Sequence, residues 1–360
     1  MQKYWDSKTI DKIRKGYYSA VYFDRARQIL LKEKNLKPVT MQIFQKKNDV
    51  LLCGVNEVVE LLKIGTGYFK NGRWVSRWKE LSVKAVPEGK IVNSFDSVMH
   101  ITGPYAYFAH LESLYLGILA RKTKIATNVR VVVRASKGKP VLFFADRYDY
   151  FLNQEQDGYA ALLGGASLVC TPAQAFYWNK NAVGTIPHAL IAMFDGNTIE
   201  TAKMFAKHFP KVPLIIVVDF DNDCVETSLK VAKALNKKLW GVRLDTSESL
   251  IDVSLGNVKR GSSKGVNPLL VKRVREALNK EKFNFVKIIV SGGFTKEKIE
   301  LFEKMKVPVD AYAVGSALME GKYDFTADVV KVDNKKIAKT GRVFKLNRQM
   351  RDPLEHSELG

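Results

Sequence analysis

Residues 214–245 of the chain read LIIVVDFDNDCVETSLKVAKALNKKLWGVRLD, and this segment indicates the fold class. It contains an apolar strand candidate, Leu214–Asp219, a helical pattern over Val225–Leu235, and a second apolar strand candidate, Leu239–Leu244. Strands that are apolar throughout, rather than at alternate positions, are typical of a parallel sheet covered by helices on its faces. The segment therefore predicts one strand–helix–strand unit of an α/β protein.

The same order of apolar strand, polar turn and helix recurs throughout residues 139–325. The strand candidates are Val141–Ala145, Ala166–Cys170, Ala182–Thr185, Leu214–Asp219, Leu239–Leu244, Lys287–Ser291 and Ala311–Gly315. The helical segments are Gln156–Leu163, Thr198–His208, Val225–Leu235, Pro268–Leu278 and Lys296–Met305. This alternation predicts an incomplete β/α barrel of about seven strands, with a doubly wound open sheet as the alternative.

Residues 1–138 follow a different pattern, in which short alternating strands mix with helices. Strands are predicted at 39–44, 50–53, 74–78 and 81–86, and a long helix from Tyr105 to about Lys122. The last part of the chain returns to this pattern, with strand candidates Ala327–Val332 and Lys336–Lys339. We therefore expect residues 326–360 to complete an α/β accessory domain formed by residues 1–138, and residues 139–325 to form the barrel domain.

The composition is that of a globular protein. Of the 360 residues, 46% are hydrophobic, yet no apolar run reaches the roughly 20 residues that span a membrane. The N-terminus shows no apolar secretory segment. Cys53, Cys170 and Cys224 are too few and too widely spaced for a disulfide framework or a CxxC zinc site. These features predict a cytoplasmic protein that does not act at a membrane.

The formal net charge of +21 has two interpretations. A basic surface is typical of proteins that bind nucleic acid, anionic lipid or small polyanions. A lysine-rich composition spread over solvated faces is the simpler explanation.

Polar residues and glycines follow the predicted strands of the barrel. The positions of interest are Phe144, Arg147, Thr185, His188, Asp219, Arg243, Asp245, Ser291, Gly292, Gly293, Gly315 and Ser316. Functional residues of β/α barrels lie at the carboxyl ends of the strands. We therefore expect these residues to meet at one face of the sheet.

Two glycine-containing turns, Ser291-Gly292-Gly293 and Gly315-Ser316, follow the last two predicted strands. Glycine lets backbone N–H groups approach an oxyanion closely. Helices predicted to begin near Thr295 and Ser316 would direct their positive ends toward the same place. Barrel enzymes frequently bind a substrate phosphate there. The turns therefore predict phosphate binding, with simple tight strand-to-helix turns as the alternative.

Charged side chains at the same face suit a substrate with hydroxyl and anionic groups. Asp219 and Asp245 are candidates to accept hydrogen bonds from ribose or to hold Mg²⁺ through water, although helix capping also explains Asp219. Arg147 and Arg243 offer a planar fork of donors for carboxylate or phosphate, with pairing to neighbouring aspartates as the alternative. His188 is a candidate base or nucleophile, unless backbone contacts at a helix start account for it.

Seven short strings, in order over roughly residues 15–345, carry a family resemblance. They are VYFDR (21–25), ITGP (101–104), FFADR (143–147), DGYAALLGGA (157–166), VGTIPHAL (183–190), VRLDT (242–246) and VSGG (290–293). The last string alone is weak, whereas G-T-x-P-H-A and R-L-D-T together are specific. On these strings the chain resembles the nicotinate phosphoribosyltransferases of the archaeal and bacterial type.

The resemblance implies a type II phosphoribosyltransferase fold and an activity in NAD biosynthesis. Family members join nicotinate to 5-phosphoribosyl-1-pyrophosphate (PRPP), giving nicotinate mononucleotide and pyrophosphate, commonly with coupled ATP hydrolysis as in a ligase. Mg²⁺ is implied as the cofactor, bound through pyrophosphate and not by direct protein ligands, with Asp219 or Asp245 assisting through water. Some archaeal relatives carry a cysteine-bearing zinc knuckle. No cysteine follows Cys224 here, so no zinc is expected.

The resemblance also implies roles for individual residues. Phe144 stacks on the pyridine ring, and Tyr22 covers the other face from a neighbouring subunit, which implies a homodimer or higher homo-oligomer. Arg147 faces the carboxylate or the phosphates, although Tyr148 stands where many relatives have a second arginine. The remaining implied residues are Arg243 and Asp245 at the phosphoribosyl unit, a phosphorylated His188, Thr185 and Asp219 in substrate binding, and Ser291, Gly292, Gly293, Gly315 and Ser316 at the 5′-phosphate.

Three alternatives remain open from the sequence. Quinolinate phosphoribosyltransferase, which is decarboxylating, shares the fold but needs more cations for a second carboxylate and uses no ATP. A nicotinamide-using relative is usually longer. A basic nucleic-acid-binding protein on a barrel scaffold would expose aromatics within a basic patch, for which Trp74, Trp78 and Tyr17-Tyr18 are the candidates. The chain length and the G-T-x-P-H string favour nicotinate.

Overall fold

A computed structural model describes residues 4–256 and 263–353 of the chain. The chain divides into two compact units: unit 1 comprises residues 1–127 and 321–360, and unit 2 comprises residues 128–320. Residues 354–360, the end of the predicted accessory segment, lie outside the described residues. None of the helices in the described ranges is both long and apolar enough to cross a membrane.

The elements are numbered in chain order. The strands are β1 (Pro38–Gln45), β2 (Val50–Leu51), β3 (Gly67–Lys70), β4 (Arg73–Ser76), β5 (Ser82–Ala85), β6 (Ile91–Val92), β7 (Ser97–Pro104), β8 (Val141–Phe143), β9 (Leu168–Val169), β10 (Leu214–Val217), β11 (Leu239–Leu244), β12 (Lys287–Val290), β13 (Ala311–Val314) and β14 (Phe325–Val332). The α-helices are α1 (Ser7–Arg14), α2 (Val21–Lys32), α3 (Val55–Gly65), α4 (Glu112–Ala135), α5 (Gln154–Leu163), α6 (His188–Met193), α7 (Thr198–His208), α8 (Cys224–Leu235), α9 (Pro268–Lys280) and α10 (Lys296–Lys304).

Unit 1 is built on an antiparallel sheet of four strands in the order β14-β1-β7-β5. β1 lies between β7 and β14, so the end of the chain contributes a strand to a sheet that begins near the N-terminus. Side chains such as Ile43, Leu62 and Met99 are fully buried in the apolar core of this unit. When all the side chains on one face of a strand are buried, a shift of one residue would expose them, so their burial fixes the register of such a sheet.

Unit 2 is an α/β unit with a curled parallel sheet of six strands in the order β10-β11-β12-β13-β8-β9. The helices predicted between the strands are confirmed, and α7 has the predicted bounds. Inward-facing apolar side chains, including Leu142, Ile215 and Ile289, form a small core along the inside of the sheet. Because the strands are parallel, their carboxyl ends lie at one edge, where functional residues of barrels collect.

The prediction of a strand at Ala182–Thr185 is wrong, so the sheet has six strands in the described residues where the sequence predicts seven. The Val183 N–H donates to the Val169 carbonyl (2.9 Å), which is a single contact and not a ladder. Gly184 has a weak strand preference, and Pro187 has no N–H to donate, so pairing stops here. β9 and β10 are consequently the two edges of an open sheet.

Three further predicted elements differ from the structure. The long helix predicted from Tyr105 begins at Glu112, because Phe108 (φ −134°, ψ 0°) separates two 3₁₀ turns that precede α4. The predicted strand Lys336–Lys339 is not formed, because the chain turns at Asp333 and Asn334, which both have positive φ.

The helix predicted near Ser316 is a three-residue 3₁₀ turn, Ser316–Leu318, whereas the helix predicted near Thr295 is present as α10.

Candidate active site

A polar cavity of about 450 Å³ lies at the carboxyl ends of the strands in unit 2. It is lined by Phe144, Asp146, Arg147, Tyr148, Pro187, His188, Ala189, Arg243, Asp245, Ser291, Gly292, Gly293, Phe294, Ala313, Gly315 and Ser316. Most of the predicted site residues therefore meet around one space, whereas Tyr22, Thr185 and Asp219 do not line it.

Asp245 is the centre of a hydrogen-bonded group in this cavity. It follows the last residue of β11, and one carboxylate oxygen accepts a hydrogen bond from Ser291 Oγ (2.7 Å), directly after β12. The other oxygen lies 3.5 Å from the guanidinium of Arg243. Arg243 Nε is buried and has no hydrogen-bond partner within the described residues. The side chain as a whole is 13% exposed and lines the cavity, so the guanidinium is placed to donate to a ligand there.

Gly292 and Gly293 form a left-handed turn after β12, with φ angles of +79° and +62°. A Cβ on Gly292 would lie 3.4 Å from Oδ1 of Asp245, and a Cβ on Gly293 would collide with the carboxylate of Glu248. Lys298, in the first turn of α10, donates a hydrogen bond from Nζ to the Gly292 carbonyl (3.1 Å). The positive φ angles therefore favour glycine at both positions, and the turn offers bare backbone to the cavity.

Phe144, Arg147 and Tyr148 come from the segment after β8. The Phe144 N–H donates to the Val314 carbonyl (2.8 Å), which continues the pairing of β8 with β13. A Cβ on Gly315 would lie 2.8 Å from the Phe144 carbonyl oxygen, so this approach also needs glycine. A hydrogen bond with the Tyr148 side chain raises the pKa of Arg147. The segment supplies an aromatic ring and a permanent cation to one cavity.

His188, the first residue of α6, is paired with Asp219 after β10. The distance between His188 Nε2 and Asp219 Oδ1 is 3.1 Å, and this hydrogen bond raises the pKa of His188. When Nε2–H donates to the carboxylate, the neutral imidazole keeps its lone pair on Nδ1. Capping does not explain Asp219, because the N-cap of α8 is Asp223, whose carboxylate accepts from the Glu226 N–H (3.0 Å).

Thr185 and Tyr22 occupy other environments. The Thr185 hydroxyl donates to the Ile186 carbonyl (3.4 Å). Tyr22 belongs to α2 of unit 1, and 66% of it is exposed. These positions do not indicate a function for Thr185 or for Tyr22.

Several residues that line the cavity are not among the site residues predicted from the sequence: Asp146, Tyr148, Pro187, Ala189, Phe294 and Ala313. Their position next to predicted site residues is the sequence feature that indicates them, since Asp146 and Tyr148 flank Arg147 and Phe294 follows Gly293. Asp146 also accepts a hydrogen bond from Cys170 Sγ (3.5 Å). Burial raises the pKa of Cys170 to about 12, so this thiol is neutral at physiological pH and a poor nucleophile.

Within the described residues, no group of three or more His, Cys, Asp and Glu side chains is arranged to hold a metal ion. The carboxylates of Asp146 and Asp245 line the cavity. Such hard oxygen donors fit Mg²⁺ when substrate phosphates and water complete its coordination.

Comparisons with known proteins show the family to which this fold belongs. Residues 20–123 match the sequence model of the family described as quinolinate phosphoribosyl transferase, N-terminal domain. The crystal structure of nicotinate-nucleotide pyrophosphorylase from Pyrococcus furiosus matches with a TM-score of 0.79 and 33% sequence identity, covering 95% of this chain and 82% of that chain. The chain belongs to the type II phosphoribosyltransferase family.

Further proteins match at lower sequence identity. The crystal structure of human nicotinic acid phosphoribosyltransferase shares the fold, with a TM-score of 0.70 at 14% identity over 91% of this chain and 77% of that chain. The nicotinate phosphoribosyltransferases pncB2 and pncB1 of Mycobacterium tuberculosis are 22% and 25% identical over 75% and 68% of this chain. The chain spans only 58% and 51% of the length of those two curated relatives.

Proposed function

We propose that the protein is a nicotinate phosphoribosyltransferase, which forms nicotinate mononucleotide and pyrophosphate from nicotinate and PRPP in NAD biosynthesis. One observation carries the proposal: the cavity combines a left-handed glycine turn, an aromatic ring and a small set of cations. Among its described lining residues, Arg147 and Arg243 are the only lysine or arginine side chains. A pyridine ring with one carboxylate and a phosphorylated ribose match this set.

The phosphoribosyl part of PRPP binds around the ends of β11, β12 and β13. The turns Ser291-Gly292-Gly293 and Gly315-Ser316 accept the 5′-phosphate, since their glycines let an oxyanion approach backbone N–H groups. Asp245 accepts hydrogen bonds from the ribose hydroxyls. Arg243, which lines the cavity with a side chain that is 13% exposed, donates to the pyrophosphate.

The nicotinate part binds at the segment after β8. The ring of Phe144 stacks on the pyridine, and Arg147 pairs with its carboxylate. Thr185 contributes to substrate binding from the segment before α6. Tyr22 covers the other face of the pyridine from a neighbouring subunit, so the active form is at least a homodimer. The exposure of Tyr22 in the single chain supports this.

The chemistry requires alignment more than a strong base. Departure of pyrophosphate from the anomeric carbon develops an oxocarbenium-like centre, and the pyridine nitrogen is already nucleophilic. Asp245 and Arg243 hold the ribose and the leaving group while Phe144 and Arg147 hold the ring in line. Asp245, which lines the cavity, would hold Mg²⁺ through water, and the bound ion would supply positive charge to the pyrophosphate.

ATP hydrolysis is coupled through His188. Nδ1 attacks the γ-phosphorus of ATP, the bond to ADP breaks, and water later cleaves the N–P bond to release phosphate. The hydrogen bond to Asp219 orients the ring and stabilises the positive charge that it acquires.

Quinolinate phosphoribosyltransferase is the second candidate, because the family model that matches residues 20–123 carries that name. Quinolinate has two carboxylates, and each needs a cation or several donors. In the described lining, Arg147 and Arg243 already serve the one carboxylate and the pyrophosphate. The small number of cations therefore favours nicotinate.

The proposal is tested by separate incubations of the purified protein with PRPP, Mg²⁺ and nicotinate, quinolinate or nicotinamide, each with and without ATP. We expect pyrophosphate to form with nicotinate only, and faster with ATP. Turnover of quinolinate but not of nicotinate would overturn the proposal in favour of the second candidate.

A further inference from the structure

Lys298 is a partly buried cation beside the glycine turn of the cavity. Its side chain is 23% exposed, and burial lowers its pKa. Nζ donates to the Gly292 carbonyl (3.1 Å) and lies 4.5 Å from the centre of the Phe294 ring. Burial of an ammonium group is unfavourable unless specific partners replace its water. The partners of Lys298 are therefore informative about its role.

Glu248 contacts the same turn and provides a counter-charge for Lys298. Its Oε1 lies 4.0 Å from Lys298 Nζ, and its carboxylate packs directly against Gly293. Glu248 and Lys298 both line a second cavity, of about 700 Å³, which is bordered by the starts of α9 and α10. Neither lines the cavity that contains Asp245. The two side chains therefore contact the turn from outside the polar cavity.

The turn depends on such support. Consecutive left-handed glycines lose much conformational entropy on ordering and have no side chains of their own to hold them. Ser291 Oγ anchors the start of the turn to Asp245 (2.7 Å), and Lys298 holds the carbonyl of Gly292. Asp245 and Glu248 lie on the same segment after β11. That segment thus holds the turn directly through Asp245 and indirectly through Glu248 and Lys298.

We infer that Lys298 is a positioning residue for the 5′-phosphate: by holding the Gly292 carbonyl, with Glu248 as its counter-charge, it keeps the Ser291–Gly293 turn in the conformation that accepts the phosphate. The inference rests on the proposed function and adds a residue to its PRPP site. Lys298 acts through the turn and touches no substrate.

The test compares PRPP binding, measured by calorimetry with Mg²⁺, and steady-state kinetics for the wild type and for Lys298→Met. The loss of a charged hydrogen bond should weaken PRPP binding about tenfold. KM for PRPP should rise by the same factor, while kcat at saturating PRPP and KM for nicotinate change less than about threefold. Lys298→Arg retains the charge and the donors and should recover most of the affinity.

Lys296→Met is the matched control. Lys296 lies in the same turn of α10, is 46% exposed at its side chain and pairs with Glu300 (3.7 Å). It should leave PRPP affinity unchanged.

The outcomes separate the inference from the proposed function. Equal PRPP affinity of Lys298→Met and the wild type overturns the inference and leaves the proposed function intact. A wild type that does not bind PRPP overturns both. Should Lys298→Met fail to fold, Glu248→Gln provides the test, with an expected loss of about threefold in PRPP affinity. Unchanged affinity in that variant also overturns the inference.

Discussion

At the carboxyl ends of the strands in unit 2, the cavity of about 450 Å³ is lined by Arg147, Arg243, Asp146, Asp245 and His188, together with glycine turns. At the amino ends, a cavity of about 400 Å³ has mostly apolar walls. Its lining consists of Pro140, Leu142, Leu168, Val183, Pro213, Ile215, Trp240, Lys287, Ile289, Asp310 and Ala311. The same strands therefore supply two chemically different spaces.

The difference arises between a strand and the residue that follows it. Leu142 in β8 and Phe144 directly after β8 are two residues apart, as are Ile289 in β12 and Ser291 directly after β12, so each pair faces the same side of the sheet. The first member of each pair lines the apolar cavity and the second lines the polar one. The charges at the amino ends, Lys287 and Asp310, pair with each other at 3.1 Å. Substitutions at the carboxyl ends should thus alter activity, and substitutions at the amino ends should alter stability.

The largest effect is expected from Asp245→Asn. The neutral amide weakens the contacts to Arg243 and Ser291 and removes the negative charge at the ribose. We expect kcat/KM for PRPP to fall about 10²–10³-fold, as measured by pyrophosphate release. Asp310→Asn removes a carboxylate at the opposite end of the sheet and should leave kcat/KM within about threefold. Equal losses in the two variants would show that the site is not confined to the carboxyl ends.

His188→Ala should abolish the stimulation by ATP while a slow basal synthesis continues, because the imidazole accepts phosphate but does not take part in the glycosyl transfer. The measurement is the ratio of initial rates with and without ATP. His208→Ala, at the end of α7, is the control and should retain the stimulation. Stimulation that persists in His188→Ala contradicts the assigned role.

Phe144→Ala and Leu142→Ala sharpen the comparison between the two ends of β8. Loss of the Phe144 ring should raise KM for nicotinate about two- to tenfold, as expected for an aromatic stacking contact. Leu142 is 4% exposed, and its truncation should lower the free energy of unfolding by about 2–5 kcal/mol with KM unchanged. Chemical denaturation and steady-state kinetics on both variants measure this. A loss of stability in Phe144→Ala together with a raised KM in Leu142→Ala would refute the division between the two ends.

The smallest effect is expected from Asp219→Asn. The hydrogen bond to Asp219 raises the pKa of His188, so its removal should lower that pKa. The neutral imidazole, which is the nucleophilic form, then predominates from a lower pH. The pH midpoint at which ATP stimulation appears should fall by less than about one unit, alongside a smaller maximal stimulation. A midpoint that stays constant or rises contradicts the pairing.

The sequence predicts the polar edge of unit 2 well, because residues after parallel strands share one edge wherever the strands begin and end. The position of this edge after the predicted strands is enough to place Arg243, Asp245, Ser291 and the glycines there. The contacts between side chains at this edge do not follow from the sequence. His188 meets Asp219 across 31 positions and Ser291 meets Asp245 across 46, and such pairings depend on how separate loops close.

The incorrect predictions have equally specific causes. The four residues 182–185 contain two apolar side chains, which a short irregular segment shows as readily as a strand. Lys298 lies in the string KEK (296–298), which resembles a solvated helix start. Its contact with Gly292 depends on the left-handed turn. Two consecutive glycines can adopt that turn, but they can also adopt other conformations.

The central claim is that the polar cavity takes a pyridine with one carboxylate. The most direct measurement is a competition between equimolar ring-deuterated nicotinate and unlabelled quinolinate, with limiting PRPP, Mg²⁺ and ATP, in which mass spectrometry identifies the mononucleotide formed. We predict deuterated nicotinate mononucleotide as the dominant product. Unlabelled mononucleotide with matching release of carbon dioxide would contradict the account.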